Sequence, residues 1–364
     1  MLKIPSTKNR NKKILINGYF LCRHLTGIER YAHEITKRLD ALCRPDEIAI
    51  IIPADVVSIP EYKNIQIIRH GETIQHILWQ MLTLQKFLIK NKEYIIFEFA
   101  NTGLPFAPGI VCLHDIYCEF FPEDFNSKKD KVIRVYNKWQ YRLIAKKAKH
   151  IITVSQFSKN QISKTYCINP DRISVIYSSW NHFRDIKSDY SVFNDFIALE
   201  KPFYFSLGSL SKRKNIKWII EYAVKHPEYM FAISGENLPT AQELELNKTS
   251  KISNIILLGY LSDEKVKALM EKCTAFILPS YYEGFGLTPL EALSCGAPVI
   301  IANAASLPEI YGKTAHYIDP FDINIDLEEL LLEPVESPNE ILAKYSYDTA
   351  AEQVYSLIQK YTRT

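Results

Sequence analysis

The sequence predicts an α/β fold made of two domains, each a parallel sheet covered by helices on both faces. Short apolar runs of strand length alternate with amphipathic helical segments along the whole chain, which is typical of such sheets. The 364 residues are enough to form two separate cores. We therefore predict a first domain at residues 1–190 and a second at 200–346, joined by a polar, irregular segment.

The apolar runs give the strands of both domains in order. The strands predicted for the first domain lie at residues 12–17, 48–52, 65–68, 94–99, 110–113, 150–154 and 171–177. Those predicted for the second domain lie at 203–207, 231–233, 254–258, 276–278 and 299–302. A terminal amphipathic helix is expected at 347–361. Loops at the carboxyl ends of parallel strands share one edge of a sheet, where open α/β sheets bind ligands.

The loop after the strand at 276–278 is the clearest candidate binding loop. It contains Gly284 and Gly286, which allow close approach of a ligand, and it leads into a helix for which Thr288 is the predicted N-cap. A helix N-terminus in this position favours anions, because its unpaired amides and its dipole point in one direction.

Two carboxylates, Glu283 and Glu291, accompany this loop. Acids do not bind phosphate, so we expect them to hold the hydroxyl groups of a sugar or a ribose beside it. The alternatives are a helix-capping role for Glu291 and a solvated loop charge for Glu283.

A second candidate loop follows the strand at 203–207. Lys212, Arg213 and Lys214 stand directly before a helix that is predicted to begin at Asn215. The helix dipole disfavours cations at this end, and a bound anion would remove the conflict. Solvated side chains are the alternative, but three cations together favour a diphosphate site.

Three positions in the first domain lie at predicted strand ends. Gly27 follows Thr26 in a predicted capping box that opens a helix, a geometry that receives phosphate, although the glycine alone indicates only a tight turn. His114 lies at a strand tip, where it is either a structural residue or a catalyst. Asn101 either contacts an acceptor or caps its loop.

The segment EGFGLTPLEALSCGAPVI resembles the E-x7-E signature of retaining glycosyltransferases of the family 4 type. TGIERYAHEI, GIVCLHDIYCEFFPEDF and GSLSKRKN resemble further elements of that family. The resemblance implies the GT-B architecture, in which two Rossmann-like domains face one another and the C-terminal helix crosses back onto the first, acceptor-side domain. Two departures are visible: Ser209 replaces a common arginine, and Ser179-Trp180-Asn181 replaces a common Asn-Gly pair.

The resemblance also implies roles for individual residues. The expected catalytic residues are His114, Asp115, Lys214 and Glu283, with Asp115 orienting His114. The residues expected to bind a nucleotide-sugar donor are Gly27, Ser209, Arg213, Lys214, Glu283, Gly284, Phe285, Gly286, Leu287, Thr288 and Glu291. Within this set Glu283 is expected at the sugar and Glu291 at the ribose. Asn101 is an acceptor candidate because of its loop at the carboxyl end of the strand at 94–99, and the resemblance assigns it no role.

Composition restricts the setting in which the protein works. No apolar run approaches the length of a membrane span, the N-terminus lacks the apolar core of a signal peptide, and the seven cysteines contain no C-x-x-C pair. We therefore expect a cytoplasmic protein with reduced thiols. Residues 1–199 carry a net charge of +10 and residues 200–364 carry −7, so the first half is expected to meet an anionic partner, a membrane surface or a lipid pyrophosphate before nucleic acid.

Residues 127–150 are the most basic stretch, with nine Lys and Arg against one acid, Asp130. Apolar residues recur in it at helical spacing: Val132, Val135, Tyr136, Trp139, Leu143 and Ile144. One interpretation is a helix that packs these residues into the core and solvates its basic face. The other is a surface that docks on anionic lipid at the inner face of the plasma membrane. No nucleic-acid-binding motif accompanies the stretch.

Together these features predict a retaining glycosyltransferase that uses a nucleotide-diphosphate sugar. No D-x-D motif is present, so we expect neither a metal nor another cofactor. The resemblance implies transfer of a hexosyl or deoxyhexosyl group, mannose-like or deoxy, to a lipid-linked or oligosaccharide acceptor in bacterial surface polysaccharide assembly. The alternatives are a sugar-nucleotide epimerase of the same fold, a non-catalytic partner of a glycosyltransferase, and an anionic-lipid- or nucleic-acid-binding module.

Overall fold

Two parallel sheets organise the chain. The computed structural model describes residues 12–208, 211–235 and 253–363. The strands of the first sheet are β1 (Lys13–Asn17), β2 (Ile48–Ile52), β3 (Gln66–Arg69), β4 (Tyr94–Glu98), β5 (Ile110–Cys112), β6 (His150–Thr153) and β7 (Ile173–Val175). Those of the second are β8 (Phe203–Leu207), β9 (Met230–Ser234), β10 (Ile255–Gly259), β11 (Ala275–Leu278), β12 (Val299–Ala302) and β13 (His316–Ile318).

The six strands of the second sheet follow the same order as the first six strands of the first sheet. The order runs β3-β2-β1-β4-β5-β6-β7 in the first sheet and β10-β9-β8-β11-β12-β13 in the second, and the recorded pairings in both are parallel. In each sheet the order reverses between the first and the fourth strand, so the switch points lie at β1/β4 and β8/β11. Ligands of doubly wound sheets bind outside the carboxyl ends of strands at such a point. The predicted α/β fold is confirmed, and β13 is a strand that the sequence pattern did not predict.

Helices cover the faces of the sheets. They are α1 (Gly27–Leu42), α2 (His76–Leu78), α3 (Gln85–Lys90), α4 (Tyr117–Phe120), α5 (Lys128–Lys147), α6 (Gln156–Tyr166), α7 (Val192–Asp195), α8 (Ile216–Lys225), α9 (Asp263–Lys272), α10 (Leu287–Ser294), α11 (Leu307–Tyr311), α12 (Leu327–Leu332), α13 (Asn339–Lys344) and α14 (Tyr347–Thr362). A π-helical segment, Trp79–Leu84, joins α2 to α3. Strand residues such as Ile14 and Ile300 are fully buried, as strands covered on both faces require.

The described residues divide into two compact units. The first contains residues up to 154, 159–176 and those from 347 onward, and the second contains 155–158 and 177–346. This part of the second unit begins at residue 177, ahead of the predicted end of the first domain at residue 190, and the polar segment between them packs against α9. The amide of Asp189 donates to the carbonyl of Glu264 at 2.9 Å, and Lys267 donates to the carbonyl of Ile186 at 2.7 Å.

The terminal helix α14 belongs to the first unit. It packs on α1, where the rings of Tyr31 and Tyr347 lie 6.3 Å apart and Arg38 Nε donates to Asp348 Oδ1 at 2.6 Å. The first unit is therefore built from both ends of the sequence, with the second unit inserted between them.

The basic helix α5 has an orientation that the core-packed interpretation did not anticipate. It begins with a complete capping box between Ser127 and Asp130. The buried side chains on the helix are Gln140, Tyr141, Ile144 and Ala145. Val132, Val135 and Trp139 are instead exposed, so placing these three residues in the core was wrong. Among the described residues, no helix has the length and apolar character needed to span a membrane.

Candidate functional site

A cluster of one buried carboxylate and two partly buried cations lies at the switch point of the second sheet. Glu283 Oε1 is 2.8 Å from Lys214 Nζ, and Glu283 Oε2 is 2.8 Å from Arg213 Nη1. Arg213 Nη1 also donates to the carbonyl of Tyr282 at 3.1 Å. The side chains of Glu283 and Lys214 are 6% and 15% exposed, so solvent screens the cluster little. The solvated alternatives for Glu283 and Lys214 are therefore wrong.

The loops after β8 and β11 bring these side chains together. After β8, Lys212–Lys214 form a 3-10 turn that ends at Asn215 in the left-handed region, with φ 55°. The prediction that α8 begins at Asn215 implied a capping side chain, but the side chain of Asn215 does not cap the helix. Its Nδ2 instead donates to the carbonyls of Pro279 and Pro320 at 3.1 and 2.7 Å. The turn that carries the cations is thereby tied to the loop that carries Glu283.

The charges of the cluster are interdependent. Burial alone would raise the pKa of Glu283, but Lys214 and Arg213 outweigh it and hold this pKa at about 2. Burial lowers the pKa of Lys214, and repulsion from Arg213 acts in the same direction against the attraction of Glu283. With Glu283 ionised and both cations charged, the cluster carries a net positive charge, which suits a polyanionic ligand.

Gly286, not Thr288, is the N-cap residue of α10. Gly286 has φ 81° and precedes the first helical residue, Leu287. A side chain there would collide with Leu307 Cδ2, and the carbonyl of Gly286 accepts from the hydroxyl of Tyr311. The predicted cap at Thr288 is wrong because these tertiary contacts start the helix earlier. The glycine is required by its positive φ and by the approach of Leu307.

Two hydroxyl groups at these loops lack protein partners. In the described parts of the chain, Thr288 Oγ1, in the first turn of α10, and Ser211 Oγ, at the start of the 3-10 turn, are buried without a hydrogen-bond partner. Buried hydroxyls are usually hydrogen-bonded, so both are available to a ligand that offers acceptor oxygens.

Glu291 contacts His182 and does not cap its helix. Since α10 begins at Leu287, Glu291 lies in the second turn, beyond the capping position. Its Oε1 is 3.1 Å from His182 Nε2, and both side chains are less than 10% exposed. The capping interpretation is wrong for this residue. Sequence reasoning missed His182, because it stands in the polar connection, far from Glu291 in sequence, with no pattern that joins them.

The other residues predicted at this loop have the following places. Phe285 is buried and its ring lies 5.4 Å from that of Tyr345, so only its backbone is free to meet a ligand. The carbonyl of Gly284 accepts from Ser158 Oγ at 3.4 Å. Ser209 lies outside the described residues.

In the first unit, His114 is buried at the end of β5. Its Nε2 is 2.8 Å from the carbonyl of Phe99, and its ring meets Tyr31 edge-on at 5.4 Å. Because a carbonyl only accepts, Nε2 carries the proton, and burial lowers the pKa of this imidazole. Among the described residues Nδ1 has no hydrogen-bond partner, so it remains an acceptor for a ligand hydroxyl.

Neighbouring residues of His114 have structural contacts. Asp115 does not orient the imidazole; its Oδ1 accepts from the amide of Tyr117 at 3.0 Å, at the start of α4, and the carbonyl of Phe99 orients the ring instead. That predicted role for Asp115 is wrong. Asn101 Oδ1 accepts from the amide of His114 at 2.8 Å, so its side chain holds the strand tip.

Gly27 is the first residue of α1, and a side chain added there would meet nothing. Thr26 is the N-cap residue as predicted, but its hydroxyl bonds the carboxylate of Glu29 and not a backbone amide. Glu29 is also 2.8 Å from Arg23. The side chain of Thr26 therefore leaves the first-turn amides of α1 uncapped, as an anion-binding helix start requires.

Solved structures of other proteins share this architecture. A search of solved structures finds sucrose-phosphate synthase from Thermosynechococcus elongatus, with a TM-score of 0.72, 15% identity, and coverage of 96% of this chain and 98% of that one. It also finds HepE from Anabaena in complex with UDP and glucose, with a TM-score of 0.65, 19% identity, and coverage of 96% and 100%. The fold is the GT-B fold of glycosyltransferases.

Sequence relatives define the family. The model described as Glycosyltransferase Family 4 matches residues 25–179, and the model described as Glycosyl transferases group 1 matches residues 191–346. O-antigen chain mannosyltransferase RfbU of Salmonella typhimurium is 30% identical over 67% of this chain and 67% of its own length. O-antigen chain mannosyltransferase B of Escherichia coli is 28% identical over 82% and 84%. The chain belongs to the family 4 type of GT-B glycosyltransferases.

Proposed function

We propose that this glycosyltransferase moves a mannosyl or related hexosyl group from a nucleotide-diphosphate sugar to a lipid-linked or glycan acceptor in bacterial surface polysaccharide assembly. It acts with retention at the anomeric carbon and without a metal. The observation that carries the proposal is the cluster of Arg213, Lys214 and Glu283 at the β8/β11 switch point, because it combines cations for a diphosphate with a carboxylate for sugar hydroxyls.

Two kinds of relatives support the donor and the sugar. Both relatives named above are O-antigen chain mannosyltransferases, and they match most of this chain. HepE, a protein of the same fold, binds UDP and glucose. By analogy with the two O-antigen chain mannosyltransferases, we propose a mannosyl donor and a surface polysaccharide product. By analogy with HepE, we propose that the sugar is carried by a nucleotide diphosphate.

Departure of the diphosphate is the step in which the cluster acts. As the bond from the anomeric carbon to the diphosphate oxygen breaks, negative charge grows on the leaving group and the sugar becomes oxocarbenium-like. Arg213 and Lys214 are held in place before the reaction, so they stabilise the growing charge without reorganising. The hydroxyl groups of Ser211 and Thr288, which have no hydrogen-bond partner among the described residues, donate to the oxygens of the departing diphosphate.

The carboxylates bind and orient the donor. Glu283 remains ionised at neutral pH, since its pKa is about 2, and it therefore accepts hydrogen bonds from sugar hydroxyls. Glu291 accepts from the ribose. Within the first unit, the neutral imidazole of His114 offers Nδ1 to a ligand hydroxyl, and the amide of Gly27 is available to an anion. The acceptor hydroxyl attacks on the face that the diphosphate leaves, and the diphosphate takes its proton.

A thermal-shift series with GDP, UDP, dTDP and ADP tests the donor assignment. We expect one nucleotide to raise the melting temperature, because a ligand at about 100 times its Kd adds about 2.7 kcal/mol to the free energy of unfolding. The same nucleotide should give a smaller shift with Glu291→Gln. If no nucleotide shifts the wild type, the donor assignment is wrong.

The nucleotide identified in this way then selects the sugar donor for a transfer assay. The anomeric configuration of the product, read by NMR, must match that of the donor, and the rate in EDTA must equal the rate with added Mg²⁺ or Mn²⁺. An inverted product contradicts retention, and loss of transfer in EDTA that is restored by metal contradicts a metal-free reaction.

His182 is predicted to position Glu291 on the ribose. Replacing His182 by alanine should weaken nucleotide binding about 10-fold, because Glu291 would lose the imidazole nitrogen that lies 3.1 Å from its carboxylate oxygen. Glutamine, which keeps a donor nitrogen, should restore most of the affinity. The measurement is the Kd of the nucleotide and of its 2′-deoxy analogue. A purely structural role would weaken both equally, whereas a positioning role should reduce the preference for the ribonucleotide.

A further inference from the structure

The outward surface of α5 combines exposed apolar residues with cations. Val132, Val135 and Trp139 are 69%, 67% and 44% exposed. Their spacing of three and four residues places them on one face of the helix. This face is opposite the buried residues Tyr141 and Ile144, so the helix has a second apolar stripe that the core does not use. We call Val132, Val135 and Trp139 the outer stripe.

Cations flank the outer stripe along its length. Lys128, Lys131, Arg142 and Lys146 share its face by helical spacing and are exposed. None of these four forms an ion pair with a described residue, whereas Lys138, on the flank, is paired with Glu119 at 2.6 Å. The outer stripe is therefore bordered by positive charge that the protein itself does not neutralise.

This combination identifies the partner by its chemistry. Exposed apolar residues rimmed by polar ones mark interaction sites, and tryptophan favours the boundary between lipid headgroups and acyl chains. A helix with an apolar stripe, bordering cations and low overall hydrophobicity lies in the plane of a bilayer. A protein partner would have to be both apolar and acidic along this line, whereas an anionic bilayer supplies both properties everywhere.

We propose that the outer stripe and its cations dock on a bilayer that contains anionic lipid. Val132, Val135 and Trp139 enter the headgroup region, and Lys128, Lys131, Arg142 and Lys146 contact the lipid phosphates. Neither component suffices alone, because a short apolar stripe and a few cations each give weak binding. Docking is therefore reversible and depends on lipid composition and on salt.

The inference deepens the proposed function by naming the surface from which a lipid-linked acceptor is taken, and in that respect it rests on that function. It is tested without donor or acceptor. If the protein binds anionic vesicles but no nucleotide, this inference stands and the proposed function fails. If it binds nucleotide but no anionic vesicles, the proposed function stands and this inference fails.

The experiment is vesicle flotation of the full chain, with phosphatidylcholine alone or mixed with phosphatidylglycerol. We expect binding to the mixed vesicles only, weakening as salt rises. Lys131→Gln with Arg142→Gln should weaken binding about 30-fold, since each cation near anionic headgroups contributes about a factor of five. The control, Lys217→Gln with Lys313→Gln, removes the same charge from exposed positions of the second unit and should leave binding unchanged.

A second pair of variants tests the apolar component. Val135→Ser with Trp139→Ser should weaken binding at least 10-fold, whereas Val57→Ser with Phe321→Ser, at other exposed sites, should not. All are surface changes, so circular dichroism and melting temperature should match the wild type. Trp139→Phe should keep the binding and lose the blue shift of tryptophan fluorescence that vesicles cause.

Three outcomes would overturn the proposal. Equal binding to both vesicle types excludes recognition of anionic lipid. Binding to mixed vesicles that the α5 variants leave unchanged assigns docking to another surface. The third outcome is a different partner. If Val135→Ser with Trp139→Ser abolishes a concentration-dependent dimer, or a complex with single-stranded RNA, while vesicle binding persists, the outer stripe belongs to that partner.

Discussion

Replacing Lys214 by glutamine is expected to lower kcat for sugar transfer by about 10²- to 10³-fold, the range found when one preorganised stabiliser of transition-state charge is removed. Lys214 is largely shielded from solvent, with its side chain 15% exposed, and its Nζ lies 2.8 Å from Glu283 Oε1 at a switch point of the sheet. Its charge counts most when the diphosphate leaves, because a buried site screens charges little. The loss should therefore fall on kcat more than on KM.

The matched control is Lys217→Gln, in the same unit. Lys217 is 81% exposed and pairs with Glu221 within α8, so its loss should leave kcat unchanged and stability within about 0.5 kcal/mol. Nucleotide binding and melting temperature are measured for both variants to separate catalysis from folding. A Lys214→Gln enzyme that folds, binds nucleotide and transfers sugar at the parent rate would remove Lys214 from the reaction.

Replacing Glu283 by glutamine is expected to lower the free energy of unfolding by about 3 kcal/mol at pH 7, because the partly buried cations Lys214 and Arg213 would lose the carboxylate that compensates them. The folded-state pKa of Glu283, about 2, lies below the ordinary value of 4.5. Its ionised form therefore stabilises the fold fully above about pH 4.5, and this contribution is lost as the pH falls toward 2.

The measurement is urea unfolding of both proteins from pH 7 to pH 3. The gap between them should narrow by about 2 kcal/mol over this range, since protonation removes from the wild type what the substitution removed from the variant. Glu221→Gln is the control, and its small effect should not depend on pH, because its partner Lys217 is exposed. A gap that stays constant from pH 7 to pH 3 contradicts the buried ion cluster.

Local pattern predicted the sheets well, because a strand buried on both faces must be apolar. Phe203–Leu207 and Val299–Ala302 match the sequence prediction residue for residue. β13 was missed, since its three residues begin with a buried histidine, His316, and show no apolar run.

The candidate site was predictable in its charges but not in its contacts. Lys214 conflicted with the dipole of the following helix, and that local conflict pointed to an anion site. The start of α10 and the pairing of Glu291 with His182 depend on groups distant in sequence, such as Tyr311 and Leu307, which no local rule contains. The prediction that Val132, Val135 and Trp139 of α5 pack into the core was wrong for a related reason. Helical spacing shows that one face of a helix is apolar, but it does not show whether that face points to the core or to solvent.

The place of α14 in the first unit has a consequence for synthesis. The ribosome makes residues 177–346 before it makes the helix that covers α1. At about 5 to 20 residues per second, this interval lasts roughly ten to thirty seconds. Throughout it, the face of α1 that α14 later covers lacks that cover and is open to chaperones and to other nascent chains. The half of the protein that is translated first is thus the half that matures last.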